Sequence, residues 1–491
     1  MSTTPERKIA FRAASDLAGD IRARKIGSLE LLDHHLDRIG RLNPPINAVV
    51  TLDAERARTA ARAADERAVR GDFAGPLHGL PLTIKDAIET QGIRTTCGAP
   101  VLTDHVPASD ADVVARLQAA GAIVFGKTNT PMFAADNQTY NDVFGTTNNP
   151  WDVTRTPGGS SGGAAAAVAA GLTSMELGSD IAGSIRNPAH YCGVYGHKPS
   201  AGIVSGRGHI PGPPGMLAPV DIGVIGPLAR SADDLDLAMS VIASPAPADA
   251  TAWHLALPPP RHNALREYRV AAWLDDGTAP VDGSVLDRLH GAVMALRDAG
   301  IAVDETARPP FTLDEMCTVA FDLIRGVTCS GLDDASFDAF ARAATQFPPD
   351  DNGPVAMFLR ASTQSKRAWN AINERRWRMR AGWAEFFRSY DVLLCPAAQT
   401  AAFVHDHGAN HAARTVPVNG EPRSNAEALA WAGFVGAAGL PASVAPVGFT
   451  GEGLPVGVQI VGPYLEDRTT IDFARRLAGV IGGYTPPPGF E

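Results

Sequence analysis

The stretch from Pro157 to Leu172 constrains this chain more than any other. It reads Pro157-Gly158-Gly159-Ser160-Ser161-Gly162-Gly163 and then runs into Ala164–Leu172, an alanine-rich segment broken only by Gly171 near its end. A helix without a polar face has to be buried, and this run falls far short of the ~20 residues that cross a bilayer. It therefore reads as the buried helix of a soluble protein, and the rest of the chain must supply a core that encloses it. Composition allows this: of 491 residues, 45% are hydrophobic and 20% charged, as in globular rather than disordered chains. At ~150 residues per domain the length suggests about three domains, although large α/β enzymes exceed that figure.

Lys and Arg number 43 against 53 Asp and Glu, a net charge of −10. An acidic surface repels phosphate backbones, so neither nucleic acid nor an anionic membrane is expected as a partner. The N-terminal segment Met1 to Ala18 lacks the basic-then-apolar pattern of a signal peptide. No window reaches ~18 uninterrupted apolar residues. Five cysteines in so long a chain build no disulfide framework. A cytoplasmic location fits that usage.

Residues 12–70 read as helical, with apolar spacing at Leu29, Leu32, Leu36 and Ile39 and a cap at Ser28. On that helix His34 and His35 read as surface residues. From Gly79 onward short apolar strands, Leu82-Thr83-Ile84 and Ala122 to Phe125, alternate with a helix-like segment from Asp110 to Ala120, which argues for an α/β sheet. Gly- and Pro-rich loops fall at Ser205 to Gly215 and Ser244 to Pro260. Residues 268–390 read as mostly helical, and strand–helix alternation returns at Asp391 to Leu394 and Gly457 to Val461. The expected organisation is one domain, 1–491, with N-terminal helices (1–75), a core (76–245), a helical excursion (260–390) and a return to the sheet (391–491).

Several motifs compete for chemistry. Gly121 to Thr128 matches GxxxxGK[ST] letter for letter, but its four variable positions, Ala122 to Phe125, themselves form a strand, so it reads as a buried strand ending in a polar turn. Gly158 to Gly162 matches the GxSxG elbow, yet Asn148 to Pro157 does not read as the strand an elbow needs. His405, His407 and His411 have the spacing of a zinc loop but lack a supporting carboxylate or cysteine set, so no metal is expected. Glu374 to Arg380 mixes basic and aromatic residues on a helix beside Trp369, Trp377 and Trp383, where aromatics can pack and arginines stay solvated.

The strongest constellation has three parts. Gly79 to Asp86 puts Lys85 at the end of an apolar strand, where burial would push its pKa down until it can act as a base. Pro157 to Gly163 offers hydroxyls and free N–H groups at a positive helix end. Gly178 to Pro188 presents Ser184 after small residues that permit close backbone approach.

In this order the three parts resemble the amidase signature family. The resemblance extends through Gly126 to Asn129, Asn149 to Trp151, His197 to Pro199, Asp391 to Pro396, Gly439 to Ala442 and Gly453 to Gln459. Ser184 follows Ser160 by 24 residues, which agrees with the family's separation. The resemblance implies a three-layer α/β/α fold with a large central mixed sheet and a helical excursion. It implies Ser184 as nucleophile, Ser160 as bridge, Lys85 as base, a cis Gly159–Ser160 peptide, and an oxyanion hole from Ile181, Ala182, Gly183 and Ser184. No cofactor is implied. Ala182 stands where relatives carry glycine, and its methyl would narrow the site. Met132 stands where relatives often carry an acid, so Met132 and Phe133 are expected to form an apolar substrate wall. The expected substrate is a small neutral amide, with carbamates in range, and a homodimer is compatible with this reading. The alternatives are a glutamine-hydrolysing amidotransferase A-type subunit and, more distantly, a silent binding protein on the same fold.

Overall fold

One mixed sheet of eleven strands runs through the molecule. In the computed structural model, which describes residues 9–491 except 211, 213, 352, 409–412 and 426, its strands are β1 (Val49–Leu52), β2 (Pro81–Lys85), β3 (Ile123–Thr128), β6 (Glu176–Asp180), β7 (Tyr195–Lys198), β8 (Val224–Ala229), β9 (Val270–Ala272), β10 (Val303–Asp304), β11 (Val392–Pro396), β14 (Ala442–Phe449) and β15 (Pro455–Val461). Their spatial order is β1-β3-β2-β6-β8-β7-β14-β15-β11-β9-β10. Two small hairpins, β4–β5 (Tyr140–Asn141 with Gly145–Thr146) and β12–β13 (Thr415–Val418 with Glu421–Ser424), stand apart. Strands β3, β2 and β6 are parallel to one another, as are β11, β9 and β10, whereas β8, β7, β14 and β15 alternate in direction between them.

Alternation along the strands creates two cores. In β3, Val124 joins one buried cluster while Ile123 and Phe125 join another, because successive side chains leave a sheet on opposite faces. The first cluster packs the sheet against the helices Ala232–Ile242, Gly283–Asp298 and Asp467–Ile481. The second packs it against Ser28–Leu42, Ala54–Val69 and the alanine-rich helix Gly162–Ala169. Every described residue of that last helix is buried, as its lack of a polar face requires. Fourteen α-helices among the described residues flank the sheet, and the architecture is the expected α/β one.

Three details differ from the sequence reading. Val49–Leu52, inside the segment read as helical, pairs antiparallel with β3 as an edge strand. The mostly helical stretch after residue 268 contributes β9 and β10, which extend the sheet beyond β11. His35 is fully buried rather than exposed. It lies 3.1 Å from Ser174 Oγ and stacks on Phe125, so its imidazole pKa falls well below the usual range through burial.

Candidate active site

Lys85 ends β2, and its side chain has no exposure to solvent. Three hydroxyls surround its Nζ: Ser160 at 2.7 Å, Ser161 at 3.0 Å and Ser179 at 3.0 Å. Burial is the main cause that lowers its pKa to about 7, and the nearby Asp180 and Glu176 carboxyls oppose it only in part. An amine in this state is substantially neutral near pH 7 and can accept a proton.

Ser160 follows a cis Gly159–Ser160 peptide. The turn is clamped from outside: Thr130 Oγ1 donates to the Ser160 carbonyl at 3.0 Å, and Thr139 Oγ1 donates to the Gly158 carbonyl at 2.8 Å. Gly159 packs so tightly that an added Cβ would stand 2.5 Å from the Asp136 carbonyl oxygen. Ser161 N–H donates to the Ser184 carbonyl at 3.0 Å, which ties the Ser184 loop to the turn carrying Ser160.

That loop hangs from Asp180, the last residue of β6. Its carboxylate accepts from Gly183 N–H at 2.9 Å, from Ile185 N–H at 3.0 Å, and from Arg186 Nη2 at 2.7 Å and Nε at 3.0 Å. Burial alone would raise the Asp180 carboxyl, but the Arg186 charge and these donors hold it down at about 2. Gly183 adopts φ 114°, and a Cβ there would meet Asn187 Oδ1 at 2.7 Å and Ala432 Cβ at 2.9 Å. Of the four expected oxyanion donors, Gly183 therefore has its N–H committed to Asp180. Those of Ile181, Ala182 and Ser184 donate to no acceptor among the described residues, and all three residues are partly exposed.

Met132 is 51% exposed. Phe133 packs against a small cluster of Ala87, Cys97 and Ile210, with φ 51° and its N–H donated to the Cys97 carbonyl at 2.8 Å. Sequence reasoning missed Ser161 and Ser179 as contacts of Lys85. Ser179 meets Lys85 only through the pairing of β2 with β6, and the packing at Gly178, where a Cβ would stand 2.7 Å from Ser161 Oγ, is visible only in the fold.

The competing motifs are occupied elsewhere. Lys127 is buried within β3 and donates to the Ile88 carbonyl and to Thr90 Oγ1, so no phosphate loop forms there. His405 Nε2 lies 3.0 Å from Asn148 Oδ1 and His407 stacks on Tyr140, while His411 lies outside the described residues. Trp383 is core, whereas Trp377 is 55% exposed beneath Arg380.

A buried amine with its pKa lowered to about 7, held against hydroxyls and next to a loop of free N–H groups, is the equipment of acyl transfer. Comparison with known proteins agrees. A family model described as Amidase matches residues 30–471, and the chain belongs to the amidase signature family, enzymes acting on carbon–nitrogen bonds. It is 34% identical to the A-type subunit of the glutamyl-tRNA(Gln) amidotransferase of Roseiflexus sp. (strain RS-1), over 96% of this chain and 97% of that one. Among solved structures it resembles an inhibitor-bound protein described in tracing the origins of an s-triazine catabolic enzyme, at TM-score 0.80 and 27% identity over 97% of this chain and 100% of that one. It also resembles a substrate complex of 6-aminohexanoate cyclic dimer hydrolase, at TM-score 0.77 and 25% identity over 98% and 99% of the two chains.

Proposed function

We propose that this chain hydrolyses a carboxamide C–N bond through an acyl-enzyme on Ser184. The observation that carries this reading is Lys85, a fully buried amine 2.7 Å from Ser160 Oγ with its pKa lowered to about 7. Ser184 Oγ attacks the carbonyl carbon as its proton passes to Ser160, whose own proton passes to Lys85. The N–H groups of Ile181, Ala182 and Ser184 receive the developing oxyanion, each donor of this kind being worth ~2.7–4 kcal/mol. Gly183 is left out of the donor set because Asp180 holds its N–H. When the tetrahedral intermediate collapses, the proton returns from Lys85 through Ser160 to the departing nitrogen. Water then repeats the sequence on the ester and frees Ser184.

The amidotransferase relative supports glutamine as the amide donor, with partner subunits taking up the ammonia. A second reading is a free-standing hydrolase of neutral amides, with carbamates in range. The expectation that Met132 and Phe133 wall the substrate pocket favours it, because an apolar wall would offer no charge to pair with a free amino acid; Met132 is exposed. A panel of glutamine, an aryl amide and an aryl carbamate, assayed with the purified chain and with any co-purifying subunits, separates the two. Glutamine turnover that depends on a partner supports the first. Turnover of neutral substrates by the chain alone supports the second. No turnover, together with no covalent labelling of Ser184 by a serine-directed probe, would sink both and leave a binding protein.

A further inference from the structure

The edge of the sheet that carries Lys85 also carries a cavity lined by Arg380 and Tyr464. Strands β2 and β6 run opposite to β11, β9 and β14, so the ends of the first pair lie along the same edge as the starts of the others. At those starts a cavity of about 700 Å³ opens, a volume within the range of small-molecule sites.

Part of its lining is a finished ion-pair framework. Asp391 accepts from Arg269 Nη2 at 2.7 Å, His262 Nε2 lies 2.9 Å from it, and Arg261 Nη1 donates to it at 3.0 Å. Arg261 Nη2 also donates to Glu466 at 2.8 Å. Arg388 is engaged by the exposed Glu385 at 2.9 Å. Arg380 is different. Its guanidinium lies over the rings of Tyr464 at 4.0 Å and Trp377 at 4.5 Å. It donates no hydrogen bond and joins no ion pair among the described residues, and its Nη2 is buried without a partner. A guanidinium has five donors and is always charged. One that lines a cavity with a buried nitrogen and no acceptor is suited to receive an anion. Tyr464, 39% exposed, gives the same cavity an apolar face.

We propose that this cavity binds an amphipathic organic anion, with a single carboxylate or phosphate group on Arg380 and a flat apolar body against Tyr464. The probes are benzoate, phenyl phosphate and inorganic phosphate, titrated into the full chain by calorimetry at low ionic strength. One saturable site is expected for an aryl probe, with inorganic phosphate at least tenfold weaker because it lacks the apolar body. The stronger of the two aryl probes identifies the preferred anionic group. Arg380→Gln should weaken binding at least tenfold with Tm retained, and Tyr464→Ala should weaken the aryl probes alone. If Arg380→Gln does not fold, Arg380→Lys keeps the charge without the planar stack and should also weaken the aryl probes. Absence of saturable binding by every probe overturns the proposal. So does binding that the Arg380 variants leave unchanged, which is how a ligand held at Lys85 would behave.

Discussion

Lys85 is held by three hydroxyls, and burial keeps its pKa at about 7, so its proton leaves within the neutral range. In the proposed reaction Lys85 accepts a proton and works only when unprotonated, so kcat/KM for a neutral aryl amide should rise with pH through about 7 and level off above it. Lys85→Ala should lose most of the rate and flatten that rise, and Lys85→Arg should do no better, since guanidinium stays protonated. A wild-type pH profile matched in shape and height by Lys85→Ala would remove lysine from the reaction. Ser184→Ala takes away one hydroxyl on a partly exposed loop and adds no bulk. It should abolish turnover while leaving the unfolding free energy within ~0.5 kcal/mol of wild type. Mass-spectrometric mapping of a serine-directed probe should find the label on Ser184; finding it on Ser160 instead would reinstate the elbow motif.

At the level of elements, the Ser184 loop is shaped by β6 and by the helix Ala430–Ala438. A Cβ added at Gly436 in that helix would stand 2.4 Å from the Ile181 carbonyl oxygen. Gly436→Ala should therefore push on the loop and lower kcat/KM at least tenfold, with a smaller effect on Tm; kinetics indistinguishable from wild type would show the loop to be tolerant. Asp180→Asn should be harsher. It leaves Arg186, with no exposed side chain, short of its counter-charge, a change that costs ~3–5 kcal/mol at buried pairs, and urea unfolding would read that loss. Sequence motifs singled out Lys85, Ser160 and Ser184 because each lies in a short local pattern, and the structure brings Lys85 against Ser160. Ser179 stayed hidden, since its contact with Lys85 exists only once β2 and β6 pair, with Thr83 beside Glu176. The hold of Asp180 on Gly183 N–H depends on a backbone turn at φ 114° that no spacing reveals. Likewise β1, β9 and β10 are too short to show a period, and their extended form comes from the strands they join. His35 gave no sign of burial because Ser174 and Phe125 come from distant segments.

Across the whole molecule, three lysines among the described residues are buried, Lys85, Lys127 and Lys198, with pKa values lowered mainly by burial to about 7, 8 and 7. Unfolded lysine titrates at ~10.4, so from about 7 to about 9 these lysines leave the unfolded chain holding more protons than the folded one, and stability should rise with pH across that window. Above it Cys97, Cys192, Cys317 and Cys395, raised by burial, work in the opposite sense, because unfolded thiols titrate at ~8.5. Below it, Glu176 and Asp86, raised by burial to about 7 and 6, work in the opposite sense. Urea unfolding at pH 7 and pH 9 should show the rise, and Lys85→Met should raise stability at pH 7 and shrink the difference; an equal difference in the variant would show that Lys85 is charged in the fold. The order of the sheet has a further consequence, for synthesis. β14 and β15, late in the chain, sit between β7 and β11. Until they leave the ribosome, the growing polypeptide carries two unpaired inner edges, one of them waiting from residue 198 to residue 442. Such edges invite pairing with other chains, so expression yield should depend on chaperone supply and on temperature more steeply than the stability of the finished protein would suggest.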